Sequence, residues 1–282
     1  SFPRLRSDVS YGRYPDGQNS LKYFAPPSSG GENDVGFLRI CEPPEFSIEG
    51  GWYSSKQFLG FLVKEPGLSV NYTVDGSKPD LNSKSYYLNP IEIDTNMVVR
   101  ARSYGEDYLP SEIVTKTYFI NDSSSLPVIS LAVSGDDLWN RDYGIFVTEN
   151  IHSNREVPVY FELWNRSKNL IFATDAGAKV HGWLSTIFPQ KSLRLYARSR
   201  YGSKNFRISF FGEYGLNEYE RIVLRNGGTE WWRSLLRDGF SAVVTKKYFT
   251  SVDAMAFVPT LMFMNGSFYG IQNIRERLDE YY

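Results

Sequence analysis

The β-forming runs in this chain are short, and between residues 36 and 119 turn formers cut them about every ten residues. A segment divided in this way has no room for long helices. It can bury its apolar side chains only by stacking strands, so an antiparallel sandwich is the expected outcome. Residues 68–74 alternate and then break at Asp75-Gly76-Ser77-Lys78-Pro79, and residues 97–104 read as another strand. At Asp75-Gly76 the glycine tolerates positive φ and the aspartate can bond its own backbone, which together supply a tight turn. An aromatic content of 16% beside many Thr, Val and Ile residues suits pleated surfaces better than helices.

The remaining chain divides by composition. Residues 1–35 are polar and rich in turn formers, with Tyr14-Pro15-Asp16-Gly17 as a turn and residues 25–31 as a linker. The first β-rich segment is expected over 36–120, a polar linker over 121–125, and a third region over 126–282. In that region strands are expected at 127–133 and 157–163, hairpins at 171–180 and 191–211, and a helix at 229–248. Thr229 is the candidate N-cap of the helix, and Trp232, Leu235, Leu236, Phe240, Val243 and Val244 fall at helical spacing. Strands at 256–264 and 268–275 flank Asn265-Gly266, a dipeptide suited to a type I′ turn. The fold class expected is β-rich, α+β.

Charge and composition narrow the function. A net charge of −1 gives no overall field toward nucleic acid or an anionic membrane. Between residues 176 and 212, however, seven basic side chains occur with no Asp or Glu, a stretch suited to facing an anion. Cys41 is the only cysteine and His152 and His181 the only histidines, so disulfides are excluded and a thiolate or multi-histidine metal site is not expected. No run approaches the roughly 20 apolar residues of a membrane helix. Ser1 opens without Met or a signal-type segment, so the numbering is expected to start inside a longer, processed or truncated polypeptide.

Specific stretches carry family likenesses. Residues 9–17, with the Pro-rich exit after them, resemble the last strand and tail of bacterial lamin-tail-like domains. Residues 72–79, then Ser83, Tyr86, Pro90-Ile91, Val99-Arg100-Ala101 and Pro110-Ser111, resemble the chitobiase/hexosaminidase C-terminal-type module, implying an immunoglobulin-like sandwich with an accessory role. Successive stretches of the third region resemble the CotH family of spore-coat-type kinases. They are 177–185, Gln190-Lys191-Ser192-Leu193-Arg194-Leu195, Val223-Leu224-Arg225-Asn226-Gly227-Gly228, Leu236-Arg237-Asp238 and 265–279. This resemblance implies a kinase-like N-lobe, an antiparallel sheet plus one main helix. It also implies ATP and Mg²⁺ as cofactors of a full-length protein Ser/Thr kinase, with the acceptor-positioning acid and metal carboxylates downstream of Tyr282. These 282 residues alone are expected to be inactive.

Within that frame Lys191 is the first candidate. In a strand over 191–198 it shares a face with Leu193, Leu195 and Ala197, and a lysine on an apolar face needs a partner such as a triphosphate. The other reading is that it starts the strand and reaches water. Asp238 or Glu230 on the helix is expected to orient it, though an ion pair of Arg237 or Asp238 holding helix to sheet is equally open. His181 is placed either on a phosphate or as a structural histidine pinning the Gly182 turn. By resemblance, residues 275–279 form a hinge where Glu276 and Leu278 would meet an adenine. Trp52 and Tyr53 either stack on a sugar or pack internally. Two functions follow: an atypical kinase with a protein acceptor, or a non-catalytic cell-surface protein whose β-modules bind glycans or protein partners.

Overall fold

The computed structural model of the chain describes residues 3, 5–249 and 251–277. They fall into two compact units, Ser1–Ile120 and Asn121–Tyr282.

In the first unit a five-stranded sheet runs in the order Gly51–Tyr53, Val114–Ile120, Met97–Tyr104, Ser69–Thr73, Lys84–Ser85. All its pairs are antiparallel except the one between Val114–Ile120 and Gly51–Tyr53. Two short pairs, Gln57–Leu59 with Ile91–Ile93 and Glu45–Phe46 with Phe61–Leu62, face it. One core joins both layers: Phe46, Leu59, Phe61 and Ile93 from the short pairs meet Val70, Val99, Ala101 and Tyr118 from the sheet. This is the sandwich that the turn spacing required. The turn after residue 74 forms as its chemistry dictates. Gly76 takes φ +83°, and the Asp75 carboxylate accepts from the Ser77 amide at 3.0 Å and its hydroxyl at 2.6 Å. Buried Arg100 donates to the Gly76 carbonyl at 3.0 Å and so fastens the turn to the sheet. Trp52 stacks on Phe119 with ring centroids 4.2 Å apart, and Tyr53 packs on Tyr118 and donates to the Glu49 carbonyl. These contacts favour internal packing for the two aromatics. Near the start of the chain Ser10–Arg13 pairs with Leu21–Phe24 as a small hairpin.

The second unit is a closed barrel of seven strands. In chain order they are β1 (Val128–Ala132), β2 (Val157–Trp164), β3 (Leu170–His181), β4 (Ser192–Tyr196), β5 (Arg221–Arg225), β6 (Phe257–Met264) and β7 (Ser267–Arg275). Around the barrel the order is β1-β2-β3-β4-β5-β7-β6, and a parallel β6–β1 pair closes it. Alternate residues point inward, as the two-residue strand period demands. Val157, Val159, Phe161 and Leu163 of β2 meet Ile129, Leu131, Leu193, Leu195, Ile222, Leu224, Met262 and Ile274. Phe206, Phe210, Phe211 and Tyr219, from the connection between β4 and β5, add rings to this core. Helix α1 (Gly135–Trp139) follows β1, and α2 (Arg237–Tyr248) lies between β5 and β6.

Several expectations for this unit are corrected. Within the antiparallel sheet expected, one pair, β6–β1, is parallel and closes the sheet on itself. The expected hairpin at 171–180 is one strand, β3. Its Gly177 is no turn residue: a Cβ there would collide with the Glu156 carboxylate and the Tyr201 ring. The expected hairpin at 191–211 is β4 alone, flanked by β3 and β5, while Phe206–Arg207 pairs with Glu218–Tyr219. The helix begins at Arg237 and not at Thr229, because residues 228–230 form only a 3₁₀ turn and Leu235 takes φ +59°. Left-handed residues cannot continue a helix, and the Leu235 amide closes the preceding turn on the Glu230 carbonyl at 3.3 Å. The expected apolar stripe also fails to face inward: Leu236 and Phe240 are 68% and 69% exposed, and the buried positions of α2 are Gly239 and Ala242.

Candidate functional site

One end of the barrel is built from polar groups where β4 begins. Leu193 and Leu195 point into the core, and Lys191 continues that row one step before β4 starts. Its ammonium is half-buried and has curled under the 182–189 loop, where Nζ donates to the carbonyls of Thr186 at 2.6 Å and Phe188 at 2.7 Å. Burial pushes its pKa below the ordinary lysine value. An ammonium carries three donors, so two are taken by main-chain oxygens. The loop itself is a 3₁₀ turn, Leu184–Ile187. It presents carbonyls to the lysine, whereas a phosphate cradle would present amides.

The main chain of Lys191 is fixed with equal care. Its amide donates to the Tyr269 hydroxyl at 2.6 Å, and Gln272 Nε2 donates to its carbonyl at 2.9 Å. Burial holds the Tyr269 phenol far above its usual pKa, so it remains protonated. Beside it, Asn226 is fully buried. Its Nδ2 donates to the Gln190 carbonyl at 2.6 Å, and its Oδ1 accepts from the Ser192 hydroxyl and the Gly228 amide. Gln190 takes the Trp231 indole N–H on Oε1 at 2.6 Å and donates Nε2 to the Ile271 carbonyl at 2.7 Å. Gly270, at φ +128°, lies so close to Gln190 that a Cβ would meet its amide at 2.7 Å. Each bond satisfies a buried group whose loss would cost about 1–3 kcal/mol, so the network fixes the entry to β4. Gln272 Oε1 is buried in it with no hydrogen-bond partner among the described residues.

The residues singled out in the sequence do not converge on Lys191. His181, at the end of β3, accepts from Arg194 Nη2 on Nδ1 at 2.9 Å. Desolvation, with Arg194 and further arginines near it, lowers its pKa to about 4. Asp238 does not orient the lysine. It accepts from Arg225 Nε at 2.5 Å and forms an ion pair with Arg275 Nη1 at 2.7 Å, and so ties α2 to the outer faces of β5 and β7. Glu230 lies outside α2 and pairs with Arg237 at 3.1 Å. Glu276 is 1% exposed and turned inward, accepting from the Ala256 amide at 2.8 Å with Lys246 Nζ at 3.6 Å. It anchors the start of β6 to the end of β7. Leu278 lies outside the described residues. Sequence reasoning gave no role to Gln190, Asn226, Tyr269 or Gln272. The available signal was their position inside otherwise apolar strand-like stretches, where a polar side chain must find partners.

For a nucleotide, the site offers one half-buried cation, Lys191, with a donor to spare. For Mg²⁺ the described residues offer little: among them no group of three or more His, Cys, Asp or Glu is placed to hold a metal ion. No helix among the described residues is long and apolar enough to cross a membrane.

Residues 48–115 match the family model for the chitobiase/beta-hexosaminidase C-terminal domain, the segment that forms most of the sandwich. Residues 178–282 match the model for CotH kinase protein, beginning at the end of β3 and covering Lys191 and its network. No curated protein matches the chain.

Proposed function

Because this chain belongs to the CotH family and carries a chitobiase C-terminal-type module ahead of its CotH domain, we propose that it is part of a secreted bacterial CotH-like protein. In this reading the barrel is the nucleotide-binding part of an atypical protein Ser/Thr kinase. One observation carries it: the Lys191 ammonium is held indoors by two carbonyls, with no carboxylate among its hydrogen-bond partners in the described residues. A lysine without a counter-ion among the described residues suits an anionic group more than water. Lys191 would bind and orient phosphate, and Tyr269 and Gln272 would hold it in register. ATP with Mg²⁺ would supply the transferable phosphoryl group. No step through the metal is assigned, because the described residues do not fit one.

A second reading rests on the same geometry. Lys191 and Asp238 both have structural partners already, which favours a non-catalytic surface protein whose β-modules bind glycans or protein partners. Calorimetric titration of the chain with ATP, with and without Mg²⁺, against Lys191→Met separates the two. Binding that weakens about tenfold or more in the variant, with the melting curve preserved, supports the nucleotide reading. Equal and negligible heat from both proteins removes it.

A further inference from the structure

On the outer face of β3, β4 and β5, away from the barrel interior that Lys191 adjoins, cations gather around one ring. Tyr196 is 7% exposed, and Lys179, Arg194, Arg198 and Arg221 approach its ring centroid to between 4.6 and 5.9 Å. Arg200 joins them through Glu156, whose carboxylate receives Arg198 Nε at 3.0 Å, lies 3.9 Å from Lys179 Nζ and is also bonded by Arg200. Glu156 keeps only 7% of its side chain exposed, while Arg198 and Arg200 keep 44% and 56%. The second acid, Glu220, stands 4.0 Å from Arg221. Among the described residues five cations therefore gather with the carboxylates of Glu156 and Glu220, in a chain whose net charge is −1. Among the described residues Arg194 bonds neutral groups, the Tyr196 hydroxyl and His181 Nδ1.

We propose that this face docks a linear polymer of phosphate groups lacking nucleobases. Four of the five cations are arginines, whose planar fork pairs with oxyanions in bidentate fashion. Lys179, Arg194 and Arg221 lie on neighbouring strands about 4.8 Å apart, and Arg198 and Arg200 follow β4 in a 3₁₀ turn, so the cations form an array that engages repeated charges better than one. The Tyr196 ring lies beneath the cations, and the Tyr201 ring is covered by Arg200 at 4.8 Å and packs on Gly177, so neither offers an open stacking platform, which separates this surface from those that hold single-stranded nucleic acid.

The test is titration of the whole chain with inorganic polyphosphate at two salt concentrations. Arg198→Ala/Arg200→Ala is expected to weaken binding about tenfold and to flatten the salt dependence by about two charges. Arg166→Ala/Lys168→Ala removes the same charge from the exposed turn between β2 and β3 and is expected to change binding less than twofold. Glu156→Gln, which frees the arginines from their competitor, is expected to tighten binding several-fold, an outcome no structural role for the cluster would produce. Equal loss in both double variants, tighter binding of dextran sulfate or of single-stranded DNA at matched charge, or unchanged affinity in Glu156→Gln would each overturn the proposal.

Discussion

Arg194 can only donate, so a His181 Nδ1 at 2.9 Å must accept, and the imidazole is neutral with its proton on Nε2. Its pKa of about 4 lies below the ordinary value of 6.5. The unfolded chain therefore binds a proton that the folded chain refuses. Stability from this group is complete above about pH 6.5 and is lost as pH falls toward 4, by roughly 2–3 kcal/mol in all. Urea unfolding of the protein and of His181→Gln across that range measures it. The variant keeps an acceptor for Arg194 and is expected to lose that part of the slope; parallel curves would show that the histidine is not the titrating group. Asp238 gives a second test. Arg275 is 3% exposed and Asp238 is about a quarter exposed. Asp238→Asn is expected to cost about 2 kcal/mol, less than the loss of a fully buried partner, in chemical denaturation. If Asp238 instead served Lys191, ATP affinity would change and stability would not.

At the level of elements, what the sequence made legible was set locally. The strand at 97–104 and the turn at Asp75-Gly76 form where expected, because alternation and turn chemistry lie within a few residues of one another. Gly177 and Gly239 share a reason that the local pattern hides. Each is a glycine because something distant needs its space, Glu156 and Tyr201 at the first and the Phe257 ring at the second. Neither neighbour can be read from the local pattern. In most helices a Gly→Ala change adds about 1 kcal/mol of stability. At Gly239 a new Cβ would drive into Phe257, so Gly239→Ala is expected to cost about 1–3 kcal/mol. Ser241→Ala, on the exposed side of the same helix, is expected to be neutral or mildly stabilising. Thermal unfolding of the two variants decides it: a rise in Tm for both would mean that α2 does not pack on Phe257 as closely as described. The candidate site was legible in the same uneven way. Lys191 stood out by its strand face, but its partners come from the 182–189 loop and β7, and only closure of the barrel brings β7 to it.

For the second unit as a whole, that closure depends on β1 lying parallel to β6, two strands more than a hundred residues apart in the chain. Parallel pairs have no hairpin to enforce their register, so something else must fix it. Asn265 does so. At φ +51° it begins the Asn-Gly turn between β6 and β7, as the dipeptide suggests. Its side chain also accepts from the Val133 amide at 2.9 Å and donates to the Val133 carbonyl at 2.7 Å, mimicking one more rung of the β1 ladder. The sequence shows the turn but gives no hint of the second role, because Val133 is 132 positions away. The two roles can be separated experimentally. Asn265→Gly retains the left-handed backbone that the turn requires and removes both bonds to Val133, at an expected cost of about 2 kcal/mol. Faster amide exchange should then appear at Val133 and along β1, on the strand opposite the mutation, while the β6–β7 hairpin stays protected. Exchange confined to residues 264–267 would mean that Asn265 serves only its own turn and that the barrel is held closed by its core alone.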